Sequence, residues 1–258
     1  MSSSSGSGPS KRESIRSTWA ISTKGVFFIV AGPWNEISEE YERTKDLIWI
    51  EKEEVYDGLT FKTYSFLNIV HHLSTKMNNQ YSYAFKTDDD SYVDLNRLQI
   101  RLRDESPDYW GWCPYRIEKR TPLRDPKNKY SISYEQYPEP TFPRYCQGAG
   151  FALSRSFIEC AVSNNHVARA RYMHFEDVAV GILAERCEML PLFDKKYIRL
   201  YRTNTQDEKD RIKENGKIDD YSSLPAANMT DRIVQHRIYN GLDMKDHHNI
   251  LTSTKIKK

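Results

Sequence analysis

The sequence predicts an α/β domain built on a parallel sheet, and three observations carry that expectation. Apolar runs at residues 26–32 (VFFIVAG), 47–50 (LIWI) and 81–85 (YSYAF) have the length and composition of strands. Helical spacing lies between them: around 38–46, and then over a stretch in which Phe66, Ile69, Val70, Leu73 and Met77 recur every three or four residues. Strands that alternate with helices run parallel, and in such sheets ligands gather at the carboxyl ends of the strands.

Taken in order, residues 1–10 are Ser-, Gly- and Pro-rich and are expected to be disordered, which leaves 11–258 as one domain. Residues 11–19 (KRESIRSTW) mix basic, apolar and aromatic side chains at helical spacing. The 26–32 run closes on Gly-Pro, a strand terminus, and Asp57-Gly58 reads as a turn before the next helix. After the 81–85 run comes a helix-like DLNRLQIRLRD, and YWGWCPY at 109–115 reads as another strand. Residues 118–145 form a long Pro-, Lys- and Tyr-rich excursion without a period, of the kind that shapes a binding site when it is ordered. In YCQGAGFALS, Gly148 and Gly150 precede an apolar strand and imply close approach of the backbone to something, while Ser154 caps a helix over 155–162. As a dinucleotide fingerprint this GxG lacks the third glycine and the acidic ribose partner.

Composition narrows the function classes. The 258 residues carry a net charge of +2 with both signs interspersed, which excludes the basic stripe of a nucleic-acid binder. The 17 Tyr and 5 Trp offer flat amphipathic rings that stack on sugars and bases, although half or more of them belong in a core. Cys113, Cys146, Cys160 and Cys187 lack the close pairing of a zinc site and allow free thiols or up to two disulfides in any connectivity. Asn228-Met229-Thr230 is a glycosylation sequon. Neither a signal peptide nor a membrane-spanning apolar run is evident, so the chain itself reads as soluble.

Two acidic constellations carry chemistry. Asp88, Asp89 and Asp90 follow directly on an aromatic strand, where three adjacent carboxylates repel one another unless a cation neutralises them. An Asp-x-Asp pair there suits a hard divalent ion with positions left open for the oxygens of a diphosphate, on which the metal acts as a Lewis acid. The alternative is a solvated acidic turn. In HFEDVAVG, Glu176 and Asp177 open an apolar helix over 178–183. The helix dipole favours acids in that position, so they serve as simple caps, or Asp177 stays ionised near neutral pH and acts as a general base. His236, His247 and His248 lie in the charged C-terminal part, where a histidine reaching back to a metal would add a ligand.

The ordered blocks RESIRSTW, FFIVAG, YDGLTFKT, FKTDDDSYVDLN, FPRYCQGAGFALS and FEDVAVG resemble the β-1,3-galactosyltransferase and β-1,3-N-acetylglucosaminyltransferase family, glycosyltransferase family 31. The likeness spans residues 12–181 and implies a GT-A fold, a Rossmann-like mixed sheet flanked by helices. It implies an inverting hexosyltransferase that uses Mn²⁺ and a UDP-sugar, UDP-galactose or UDP-N-acetylglucosamine, to glycosylate a hydroxyl of a glycan on a glycoprotein or glycolipid.

By position the likeness makes Asp90 the leading Mn²⁺ ligand, with Asp88 and Asp89 near the ribose and diphosphate and Asp88 also in the Asp-x-Asp pair. It sets Arg12, Arg16, Thr18 and Lys62 near the nucleotide, Asp177 as the base and His236 as a late metal ligand. Golgi residence on the lumenal side is a further implication, with membrane attachment through an anchor that this chain does not contain. So is an apolar first strand ahead of the Arg-rich block, a place that residues 1–9 cannot fill. Two other classes use similar residues: a metal-dependent phosphate-ester hydrolase and a catalytically silent sugar-binding domain.

Overall fold

The computed structural model describes residues 6–55, 58–76, 81–113, 120–168, 170, 173–194, 233–236, 244–245, 248–249 and 252. Asp57, Met77, His247 and the Asn228 sequon lie outside them. Helix α1 (Gly8–Arg16) is followed by β1 (Phe28–Ala31), α2 (Trp34–Thr44), β2 (Leu47–Ile50) and α3 (Leu59–Lys76). Then come β3 (Tyr83–Thr87), β4 (Ser91–Val93), α4 (Leu95–Glu105), β5 (Tyr109–Gly111), β6 (Gly150–Ser154) and α5 (Arg155–Ser163). The described elements close with α6 (Glu176–Arg186), β7 (Pro191–Phe193) and β8 (Val234–His236).

The chain is α/β, but its sheet is neither single nor wholly parallel. Strands β1 and β2 pair in parallel by themselves. A second sheet has the order β3-β6-β5-β7, in which β6 runs antiparallel to both β3 and β5 while β7 is parallel to β5. Strand β4 pairs antiparallel with β8. The expectation of a parallel sheet thus holds for β1–β2 and β5–β7 and fails at β6, whose residues pair with β3 from more than sixty positions away and with β5 from forty or more. Local periodicity carries no record of such a pairing.

The expected disorder over residues 1–10 also ends early, because Gly8, Pro9 and Ser10 form the first turn of α1. Proline fits there since its fixed φ suits a first turn and its missing N–H has no helical partner to lose.

Packing follows from the apolar faces. Tyr109, Phe151, Leu153, Phe157, Ile158, Val180 and Leu183 form the main core beneath β5 and β6, against α3, α5 and α6. Alternation along β3 sends Ala84 towards that core and Tyr83 with Phe85 to the opposite face, where Leu98 and Leu102 of α4 pack. Ser154 caps α5 as its sequence implies, its Oγ accepting from Phe157 N at 3.0 Å. Disulfides Cys113–Cys146 and Cys160–Cys187 resolve the open cysteine pairing. The 118–145 excursion is irregular among its described residues but carries its own small core of Ile132, Tyr137, Phe142 and Tyr145.

Candidate active site

The acidic triplet stands where the sequence puts it, at the carboxyl end of β3. Strand β3 runs out at Thr87, Asp88 N donates to Ala149 O at 3.4 Å, and Ser91 N closes the turn on Asp88 O at 3.3 Å. The turn is pinned further by Thr87 Oγ1 and Ser91 Oγ, which both donate to Ala149 O, at 2.9 and 3.2 Å. The three carboxylates are therefore mounted on β3, β4 and the loop before β6.

The residue that organises this end of the sheet is Lys86, which the sequence reading passes over as part of the strand. Its side chain is buried, and Nζ donates to Asp88 Oδ1 at 2.7 Å, Glu176 Oε1 at 2.8 Å and Gly148 O at 2.5 Å. Burial alone would lower the lysine pKa, yet the two carboxylates outweigh it and hold the ammonium above its ordinary value. One cation thus joins the acidic turn after β3 to the first turn of α6.

Gly148 makes this junction possible. A Cβ there would lie 2.0 Å from Glu176 Oε1, so the close approach implied by the glycines is that of Glu176. Glu176 is not the helix cap that its position suggests. Phe175 occupies the N-cap without a side-chain bond, and Glu176 turns inward to Lys86. A charged residue closing an apolar strand, two positions ahead of the first flagged acid, is the signal that would have singled out Lys86.

Asp177 sits beside Glu176 in the first turn of α6, its Oδ1 accepting from Val178 N at 2.8 Å. Its carboxyl is pushed up to about 7, first by burial and then by the negative charge of Glu176, with the Val178 N–H and Lys86 only partly offsetting both. The simple expectation that Asp177 stays ionised meets a carboxyl held well above its ordinary value by burial and by Glu176. The result is a carboxyl poised to exchange a proton near neutrality, which is what a general base requires.

The remaining predicted residues divide. Lys11 Nζ reaches Asp89 Oδ1 at 3.0 Å and ties α1 to the acidic turn. Lys62 is buried and bonds both oxygens of Glu54, at 2.7 and 2.6 Å; burial lowers its pKa against that pairing, and it feels the charges of Asp89 and Arg12. Arg12, fully buried, forks onto Glu40, while Arg16 grips Asp46 at 2.7 and 2.8 Å and also reaches Glu40 at 2.8 Å. Burial disfavours ionisation of Glu40, but the two guanidiniums outweigh it and hold its carboxyl below the usual range. The Thr18 hydroxyl donates to Ser14 O at 2.5 Å within its own turn. Arg12 and Arg16 thus join α1 to Glu40 of α2 and Thr18 bonds within its own turn, whereas Lys11 and Lys62 lie towards Asp89 of the acidic turn. His236 is in β8, in register with Ser91, one position beyond Asp90.

The donor set fits a hard cation in kind, because Asp88, Asp89 and Asp90 offer only oxygen ligands. Asp88 is turned to Lys86 and Asp89 to Lys11. Among the described residues the one tight cluster of metal-ligating types is Cys160, His166 and Cys187, and its two sulfurs are consumed in a disulfide.

The chain is similar to known galactosyltransferases. Human β-1,3-galactosyltransferase 5 is 28% identical over 188 residues, covering 68% of this chain and 58% of that protein. Rat β-1,3-galactosyltransferase 4 is 26% identical over 222 residues, covering 70% and 57%. Arabidopsis hydroxyproline O-galactosyltransferase GALT2 is 24% identical over 188 residues, covering 69% of this chain and 26% of its own length. The chain thus spans about three fifths, or less, of the curated relatives it matches. The family model for galactosyltransferases matches residues 10–191, which include the acidic turn, Lys86, Gly148 and the Glu176-Asp177 pair, and the chain belongs to the galactosyltransferase family.

Proposed function

We propose that the chain is the catalytic domain of an inverting, metal-dependent hexosyltransferase of GT-A type. It would move galactose or N-acetylglucosamine from a UDP-sugar to a hydroxyl of a glycan on a glycoprotein or glycolipid, forming a β-1,3 linkage. The observation that carries this reading is the Lys86 bridge, which fixes the acidic turn and the Asp177 helix against each other. A group-transfer site that inverts its centre needs a leaving-group end and a base end held in one frame.

Asp177 takes the proton from the acceptor hydroxyl as that oxygen attacks the anomeric carbon from the face opposite UDP. The new carbon–oxygen bond forms as the bond to the diphosphate breaks, and no covalent intermediate with the protein is needed. Asp90, with Asp88 and His236, would hold Mn²⁺, which would supply Lewis-acid stabilisation of the departing diphosphate. Lys11, Arg12 and Lys62 add positive charge on the α1 and α3 side of the same turn, next to Asp89, where the nucleotide would lie. Glu176 keeps Asp177 protonatable, and Lys86 keeps Glu176 and Asp88 in place. The described part of the 118–145 excursion, which packs on Phe175 through Phe142, would form a wall of the acceptor site.

Residence in the Golgi lumen goes with this reading. All four cysteines are paired, as suits an oxidising compartment. Among the described residues no helix is long and apolar enough to cross a membrane, so an anchor would lie elsewhere than in these helices. The test is UDP release from UDP-galactose and UDP-N-acetylglucosamine with and without glycan acceptors. Release that requires the acceptor supports the transferase; equal release without it would mean a hydrolase, and none with any acceptor a silent domain.

A further inference from the structure

Of the acids that follow β2, Glu51 and Glu53 are exposed, whereas Glu54 turns inward and its side chain is only 22% exposed. Its carboxylate is held from two sides. Oε2 accepts from Ala31 N at 3.3 Å, at the last residue of β1, and Lys62 Nζ of α3 donates to both oxygens, at 2.7 and 2.6 Å. The connection from β2 to α3 is anchored there as well, because Gly32 N donates to Lys52 O at 2.7 Å and draws it back across the carboxyl end of β1. Glu54 thereby ties β1, this connection and α3 together at the end of the strands where ligands of α/β folds gather.

Lys62 gives this contact its meaning. Its side chain is 3% exposed, and a lysine so far out of water stays ionised only where carboxylates offset the lost hydration. Burial lowers its pKa, and the bond and charge of Glu54 are the strongest opposing influence. Asp89 of the acidic turn adds attraction and Arg12 of α1 adds repulsion. Asp89 is itself paired with Lys11, and Arg12 with Glu40. Two bonds to one carboxylate fix the direction of the Lys62 ammonium as well as its charge, on the side of α3 that feels Asp89.

We propose that Glu54 is a positioning residue for donor binding, which holds Lys62 between the end of β1 and the acidic turn as a fixed cation for the diphosphate of a nucleotide-sugar. The proposal rests on the UDP-sugar reading above. Glu54 acts through Lys62 and not by touching the ligand. An ion pair that merely staples the connection to α3 would leave nucleotide binding unmoved in any variant that folds.

The test is a double-mutant cycle read by titration calorimetry of UDP with Mn²⁺ at neutral pH, on the parent chain, Glu54→Gln, Lys62→Met and the double variant. Beside it, the alkaline titration of Lys62 is followed in the metal-free protein by NMR of labelled lysine side chains, with Lys62→Met assigning the signal. Glu54→Gln keeps the size of the side chain and removes its charge, and is expected to weaken UDP binding by about tenfold. It should add nothing further when Lys62 is already methionine, and it should move the Lys62 titration to lower pH. Glu54→Asp keeps the charge on a shorter arm. It is read in the same cycle, where a smaller loss that also vanishes without Lys62 is expected, so a Glu54→Gln chain that does not fold leaves the question decidable. Unchanged affinity in the folded Glu54 variants, or equal weakening with and without Lys62, overturns the proposal and leaves the UDP-sugar reading standing. No UDP binding by the parent chain overturns both.

Discussion

Lys86 Nζ lies 2.8 Å from Glu176 Oε1, a contact between residues ninety positions apart that holds the end of β3 against the first turn of α6. The lysine is buried and also bonds the partly exposed Asp88, so its removal takes this cation from both carboxylates, the nearly buried Glu176 above all. Lys86→Met is expected to lower unfolding free energy by about 3–5 kcal/mol, the range for breaking a buried ion pair from one side. Urea denaturation measures it, and a loss below about 1 kcal/mol would show that the bridge is not structural.

Asp177 sets the pH dependence. Its carboxyl titrates at about 7 in the folded chain against an ordinary value of 3.8, so between those values the folded state holds more protons than the unfolded state. The stability contributed by the protonated form is fully present below pH 3.8 and is lost as pH rises through about 7. Activity runs the other way, since the base must be ionised to accept a proton. The logarithm of kcat/KM is expected to rise with pH through an apparent pKa near 7 and level off above it. Asp177→Asn is expected to cost about 10²–10⁴ in kcat and to remove that limb while preserving nucleotide binding.

Gly148→Ala tests the packing of the same junction. The new Cβ would stand 2.0 Å from Glu176 Oε1, which cannot yield without leaving Lys86. A loss of about 1–3 kcal/mol is expected, as for other overpacked sites. Shortening the intruding side chain, in Gly148→Ala with Glu176→Asp, should recover part of it relative to the sum of the single changes. Strict additivity in the double-mutant cycle would contradict the contact.

The disulfides make a separate prediction. Cys160–Cys187 ties α5 to the end of α6, closing a separation of 27 residues in sequence. Replacing both by serine is expected to cost about 2–5 kcal/mol in chemical denaturation, with the non-reduced protein as reference. A cost near zero would place the pair outside the cooperative unit.

Much of this was legible in the sequence, for identifiable reasons. The 26–32 and 47–50 runs gave β1 and β2 because each is apolar and short, and the Phe66–Leu73 spacing gave α3. The acidic triplet was legible because acids follow an aromatic run, and Ser154 because a cap precedes its helix. What was hidden is what depends on distant partners: the insertion of β6 between β3 and β5, the Lys86–Glu176 contact and the two cysteine pairings. Glu176 illustrates the difference. From the sequence it is one of two acids opening a helix, and only the fold shows that one of them neutralises a lysine from β3 while the other is left to titrate.

The central claim is that the acidic turn and Asp177 belong to one nucleotide-sugar site, and UDP titration calorimetry with and without Mn²⁺ tests it most directly. It should be run on the parent chain, Asp90→Ala and Asp177→Asn. The account predicts metal-dependent binding by the parent, loss of it in Asp90→Ala and retention in Asp177→Asn. Binding that is indifferent to Mn²⁺ and to Asp90, or none in the parent chain, would contradict it.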